Sequence, residues 1–268
     1  MITVLPGLLS IALYLLASGL LMMRLSRGSG SGTQRLDQPI LIALTAILVH
    51  AFILYPEVIT PHGLNLGFVY AASLIALTSA VLLAVSALFQ PVGNLGIALF
   101  PVAAATIGLT LAWPGGHLLT DSSWQLELHI LCSLLAYSIL GLAVLQSILL
   151  SIQDRHLRNR QPGGFIRALP PLAVMESLLF QMIATGFALL TLALVTGILF
   201  LEDIFAQQLV HKTTLSIIAW IVFGILLWGR WRFGWRGRTA LRWTIGGFIF
   251  LMFAYFGSKF VLELVLTG

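Results

Sequence analysis

Eight long, almost uncharged apolar runs dictate what this chain can fold into: Leu5–Met23, Pro39–Tyr55, Leu64–Phe89, Leu95–Trp113, Leu126–Ile152, Leu178–Leu201, Thr213–Trp228 and Trp243–Leu266. About 20 apolar residues in a helix cross the hydrocarbon core of a bilayer, so each run is a candidate span. The second and seventh are short, and their ends are the least defined. Barrel strands, which alternate over about ten residues, are excluded by the length and lack of pattern of these runs. Charged residues make up 9% of the chain, against about 25% in a soluble domain. The expected fold is all-α: one transmembrane domain over residues 1–268, with eight membrane-spanning helices.

Charge then orients the helices. All twelve arginines fall between three pairs of runs: Arg24, Arg27 and Arg35; Arg155, Arg158, Arg160 and Arg167; and Arg230, Arg232, Arg236, Arg238 and Arg242. Arginine and lysine accumulate on the cytoplasmic side. The three connections share a side only if the helix count is even and both termini lie outside. Lys212 and Lys259 then fall near the outer face. On this reading the net charge of +5 reflects topology, and a nucleic-acid partner is not expected. The first run is followed, not preceded, by basic residues and has no small-residue cleavage site, so it is expected to be a retained span. The single cysteine, Cys132, excludes an intramolecular disulfide and paired-cysteine redox chemistry.

The connections are modest. Gly28–Gly32 reads GSGSG, a flexible linker. The basic stretch Gln153–Ala168 suits anionic lipid headgroups better than a protein partner. After Pro170-Pro171, the segment LAVMESLLFQM is expected to start as an interfacial helix and continue as the sixth span. The outer connections PEVITPHG, PGGHLLTDSS and EDIFAQQLVHK are too short for a domain, so any outer-face work falls to helix ends or to a partner. The tryptophans, mostly at run ends, suit an interfacial belt. No zinc-protease motif, nucleophile elbow or nucleotide-binding loop is present, and no enzymatic activity is expected.

Polar exceptions inside spans carry the most information, because an ionisable group in lipid is costly and turns toward the protein interior. His50 lies about one and a half turns before the end of the second run, and His129 just inside the start of the fifth. Level with each other near the outer face, two neutral imidazoles suit the axial positions of a b-type, non-covalently held haem. They equally suit a pair of satisfied interfacial histidines. His129, Ser133, Ala136, Tyr137 and Gly141 share a helical face whose small residues leave room either for a macrocycle or for close helix packing. His211 is a reserve ligand. His62 and His117 read as solvated loop residues, and His156 as a surface residue among arginines. The outer carboxylates lack metal-motif spacing.

Two stretches, WQLELHILCSLLAYSILGLAVLQSILL and HKTTLSIIAWIVFGILLWGRWRFGWRGRTALRWTIGGFIFLMFAYFGSKFV, resemble the membrane core of the cytochrome c assembly family, the haem-handling CcsA/CcmC-like proteins. The small eight-span branch is the better match, and the similarity covers roughly residues 64–260. The resemblance implies a multi-pass protein of the bacterial inner membrane that handles haem or assembles cytochrome complexes at the outer face, with a membrane or periplasmic protein partner. It places His129 at the family's first external haem-ligand histidine and His50 at its histidine within an earlier span. Where the family carries a tryptophan-rich outer loop, this chain reads EDIFAQQLVHKTT, retaining Lys212. That departure defines an alternative: a membrane scaffold or accessory subunit that keeps the fold and has lost haem presentation.

Overall fold

Backbone amides facing lipid have no water to bond, so a chain with these runs must close its hydrogen bonds within helices. The computed structural model describes residues 3–27, 38–61, 63–113, 118–119, 123–159, 163–200 and 207–257. Among them are eight helical segments long and apolar enough to cross a membrane, built on α1 (Val4–Ser26), α2 (Gln38–Val58), α3 (Phe68–Ala87), α4 (Gly96–Ala112), α5 (Trp124–Arg158), α6 (Leu172–Phe200), α7 (Gln207–Phe233) and α8 (Arg238–Met252). The fourth and eighth reach span length with the adjoining turns Gly93–Leu95 and Phe253–Gly257.

The helix ends depart from the hydropathy runs for local reasons. Helix α3 starts at Phe68 because residues 63–65 are strand, not helix. Helix α6 follows Pro171 directly and runs unbroken for 29 residues. A proline just before or at a helix start gives up no needed N–H. Helix α7 extends past its run at both ends, taking in QQLVHK and GRWRF. Helix α5 has 35 residues, about 50 Å at 1.5 Å per residue, so its polar end carries Asp154 and Arg158 beyond any hydrocarbon core. Those two residues form an i,i+4 ion pair at 3.7 Å.

The chain divides into two compact units. In the first, Met1–Thr120 with Ile152–Met175, α1 packs on α2 and α4, and α3 packs on the same two helices. The four helices close a ring around the fully buried Tyr14, Phe100, Leu83 and Ile107. Pro101 sits inside α4. A proline there removes an amide and leaves the carbonyl four residues earlier without its helical donor. That carbonyl belongs to Ile97, and Ser18 of α1 donates to it at 2.9 Å. Ser10 likewise donates to the Ala46 carbonyl of α2 at 2.9 Å. Polar side chains in this unit thus tie helix to helix through backbone oxygens.

At the end of the unit that carries the α2–α3 connection lies a small antiparallel sheet: β1 (Ile59–Thr60), β2 (Gly63–Asn65) and β3 (Leu118–Leu119), in that order. It joins two connections that read as separate loops in the sequence. Gly63 opens β2 at φ 127°, a conformation open to glycine and strained for other residues.

The second unit is Asp121–Ser151 with Glu176–Gly268. Here α7 packs along α8. Trp220, in the middle of α7, donates its indole N–H to Thr191 Oγ1 of α6 at 2.8 Å, and its ring stacks on Phe187 at 5.4 Å. Trp220 is therefore a packing residue, outside any interfacial belt. Helix α8 passes into a single π-helical turn, Phe253–Gly257.

Candidate functional site

The two histidines that the sequence singles out belong to different units, and each has its own surroundings. His50 is 1% exposed. Its Nδ1 meets the Tyr14 hydroxyl of α1 at 3.3 Å, and its Nε2 meets the Ser73 hydroxyl of α3 at 2.9 Å. Tyr14 also stands edge-on to the imidazole, with ring centroids 5.9 Å apart. A neutral imidazole has one donor and one acceptor nitrogen, and a hydroxyl can serve either. Both ring nitrogens are therefore satisfied, in whichever tautomer, by partners that are themselves fully buried. This is a closed polar knot at the centre of a helix ring.

His129 of α5 is half-buried and is held from one side. Its Nδ1 lies 2.8 Å from the Ala193 carbonyl of α6. A carbonyl only accepts, so the proton sits on Nδ1 and the lone pair on Nε2. The Thr196 hydroxyl shares the arrangement: it donates to the same Ala193 carbonyl at 3.1 Å and lies 3.4 Å from Nδ1. A backbone carbonyl on one imidazole nitrogen fixes ring orientation and leaves the other nitrogen basic, the arrangement that metal-ligating histidines use.

The face of α5 below His129 is used for helix packing. The Tyr137 hydroxyl donates to the Leu251 carbonyl of α8 at 2.6 Å, where α8 gives way to the π turn. Its ring meets Tyr255 edge-on at 6.2 Å. A Cβ on Gly141 would meet the Phe248 ring at 3.4 Å. Ala136 is fully buried.

The remaining candidates are peripheral or undescribed. His156 is half-buried and donates through Nδ1 to the Ile152 carbonyl one turn back at 2.9 Å. His211 lies in the early turns of α7, with its side chain outside the described residues. His62 and His117 fall outside them altogether, as do Asp121, Glu202, Asp203 and Glu263. Among the described residues, no group of three or more histidines, cysteines and carboxylates is placed to hold a metal ion. Glu57 accepts from the Tyr70 hydroxyl at 3.2 Å.

One polar centre has no motif to announce it. Glu176, the lone acid in LAVMESLLFQM, is 8% exposed. Its Oε1 takes a 2.7 Å hydrogen bond from Arg230 and lies 3.7 Å from Arg236 Nε. Arg230 also donates to the Trp235 carbonyl at 3.3 Å, and its guanidinium covers the Phe180 ring at 4.6 Å. Arg230 thus has an internal partner in addition to any topological role. A lone acid five residues into an otherwise apolar run after Pro171 was the available signal, masked by the number of arginines elsewhere in the chain.

A family model described as Cytochrome C assembly protein matches residues 39–266. The chain is similar to the inner membrane protein YpjD of Escherichia coli strain K12, 32% identical over 97% of this chain and 98% of that protein. It is also similar to cytochrome c biogenesis protein CcsA of Chlamydomonas reinhardtii, 27% identical over 53% of this chain and 40% of that one. Protein HemX of Brevibacillus brevis is 23% identical over 48% of each. No solved structure matches the chain. With its eight membrane-crossing helices and an inner-membrane relative of matching length, the chain is a multi-pass inner-membrane protein. The family match takes in both candidate histidines and runs from the start of α2 to beyond α8, so this chain belongs to the cytochrome c assembly protein family.

Proposed function

We propose that this protein binds b-type haem non-covalently and handles it for cytochrome assembly at the outer face of the membrane, with His129 as the principal axial ligand. The single observation that carries this reading is the Nδ1–carbonyl bond of His129, which leaves Nε2 as an oriented, unprotonated donor of the kind haem iron takes. Iron, when bound there, would supply the redox-active centre. The chain's own part is to hold the imidazole by Ala193 and Thr196. Similarity to CcsA proteins, which are named for cytochrome c biogenesis, supports the direction of the reading. The twelve-to-two partition of arginine and lysine supports both termini outside and His129 near the outer face. His50 would serve as a second ligand only after its Nε2 leaves Ser73. No bond-making or bond-breaking chemistry is assigned to the protein itself.

The test is an absorption spectrum of the purified full chain, as isolated and after incubation with haemin. A Soret band that His129→Ala abolishes is the expected result. A wild-type protein with no Soret band under either condition would sink the proposal.

A second reading, an accessory scaffold without haem, is favoured by one observation: His50 is sealed on both nitrogens. On that reading His50 is a structural residue, and neither His50→Ala nor His129→Ala reproduces a deletion phenotype in a stably inserted protein.

A further inference from the structure

Five arginines lie between residues 230 and 242, and the whole stretch from Gln207 to Gly257 contains no aspartate or glutamate. Only Glu176 reaches this stretch from elsewhere among the described ion pairs, and its Oε1 lies 2.7 Å from Arg230 and 3.7 Å from Arg236, one carboxylate against five guanidinium groups. Arg232, Arg236, Arg238 and Arg242 are exposed and leave a large excess of positive charge at the joint between α7 and α8.

The joint is built to hold its shape. Trp235 packs against Gly229 so closely that any Cβ there would collide with the indole. Its ring also lies 5.4 Å from that of Trp243, and its carbonyl is tied to Arg230. Gly234 and Gly237, at φ 66° and 57°, make the turn in between. Arg238 and Arg242, four residues apart, share one face of α8. On the α7 side, Trp231 is 82% and Trp228 55% exposed, at the end of a membrane span, where indoles settle among headgroups.

We propose that this rigid arginine–tryptophan joint is a binding site for an anionic phospholipid, its headgroup phosphate held by Arg232, Arg236, Arg238 and Arg242 and its glycerol and upper chains lying against Trp228 and Trp231. Charge complementarity selects the partner. Planar guanidinium groups pair bidentately with phosphate oxygens, and the site lies where two spans meet a leaflet surface, within reach of lipid. A topology signal needs positive charge only, whereas this joint fixes the backbone that presents it.

The full chain is reconstituted in bilayers of equal parts phosphatidylcholine and phosphatidylglycerol and released in mild detergent, and retained lipids are counted by native mass spectrometry. The wild type is expected to retain phosphatidylglycerol several-fold over phosphatidylcholine. The combined variant R232Q/R236Q/R238Q/R242Q is expected to lose that preference while Arg230 and Glu176 stay paired. If the combined variant does not insert, R238Q and R242Q are read singly, and each is expected to lower the preference. Equal retention of both lipids by the wild type, or a preference that the glutamine variants leave unchanged, assigns these arginines to topology alone and overturns the proposal.

Discussion

His50 and His129 look alike in the sequence, each a lone imidazole near the end of an apolar run, and the two helix packings treat them oppositely. Around His50, hydroxyls from α1 and α3 close on both nitrogens, and the residue is 1% exposed. Around His129, a carbonyl and a hydroxyl from α6 gather on Nδ1, and the residue is half-buried. The contrast teaches that an intramembrane histidine is defined by which nitrogens its neighbours claim. With two claimed, the ring is a structural crosslink. With one claimed among the described residues, the other nitrogen keeps the lone pair that the proposed haem role would use.

The largest effect separates the two residues by haem content. His129→Ala is expected to remove the Soret band from the purified protein, because the oriented lone pair is gone. His50→Ala is expected to keep the band, with a changed position if His50 provides a second ligand. Spectra of both variants at matched protein concentration check this. Loss of the band in His50→Ala and its survival in His129→Ala would reverse the assignment.

Stability should run the other way. His50→Ala leaves the buried Tyr14 and Ser73 hydroxyls without their partner and opens a void in the first unit. Unsatisfied buried groups cost roughly 1–3 kcal/mol each, and large-to-small core changes about 2–5. Membrane reference states discount such polar terms, so about 3 kcal/mol in all is expected. His129→Ala removes one bond from a half-buried ring and is expected to cost about 1 kcal/mol. Thermal unfolding of both variants without added haemin orders them, and equal losses would mean that His50 is no crosslink.

Ser73→Ala sharpens the contrast by making the closed histidine resemble the open one. It removes the hydroxyl at Nε2 and leaves Tyr14 on Nδ1. The expected stability loss is below about 1 kcal/mol, in line with interhelical hydrogen bonds in membranes. On the haem-handling reading, His50 becomes easier to recruit, so haemin titration should show tighter binding than in the wild type. Unchanged binding would favour the scaffold role for His50.

Much of this contrast was beyond the reach of sequence. The eight helices were legible because lipid enforces long apolar runs and closed hydrogen bonding. The candidate status of His50 and His129 was legible because ionisable groups are rare in such runs. Their partners were not: Ser73, Tyr14 and Thr196 are ordinary small or aromatic residues, and the Ala193 carbonyl has no side-chain signature at all. The face of His129, Ala136, Tyr137 and Gly141 fitted a cofactor pocket or helix packing equally well, and it is the bond from Tyr137 to Leu251 and the approach of Phe248 to Gly141 that show packing using its lower part. The same gap hid the bond from Ser18 to Ile97: Pro101 predicts a carbonyl in need of a donor, but not which helix supplies one. Glu176 was lost in a different way, as one acid among many arginines whose topological meaning was sufficient by itself.

The smallest test acts on the open histidine. Thr196 Oγ1 already donates to the Leu192 carbonyl at 2.8 Å, so its hold on Ala193 at 3.1 Å is shared. Thr196→Val keeps the branched shape and removes the hydroxyl. The Ala193 carbonyl is then left to His129 and its own helix, and the Nδ1 bond should survive. About 0.5 kcal/mol of stability is expected to go, and haem content should match the wild type within error. A large loss of haem in this variant would show that the hydroxyl, rather than the carbonyl, fixes the imidazole. The tautomer argument for a free Nε2 would then fail, since a hydroxyl can face either a protonated or a bare Nδ1.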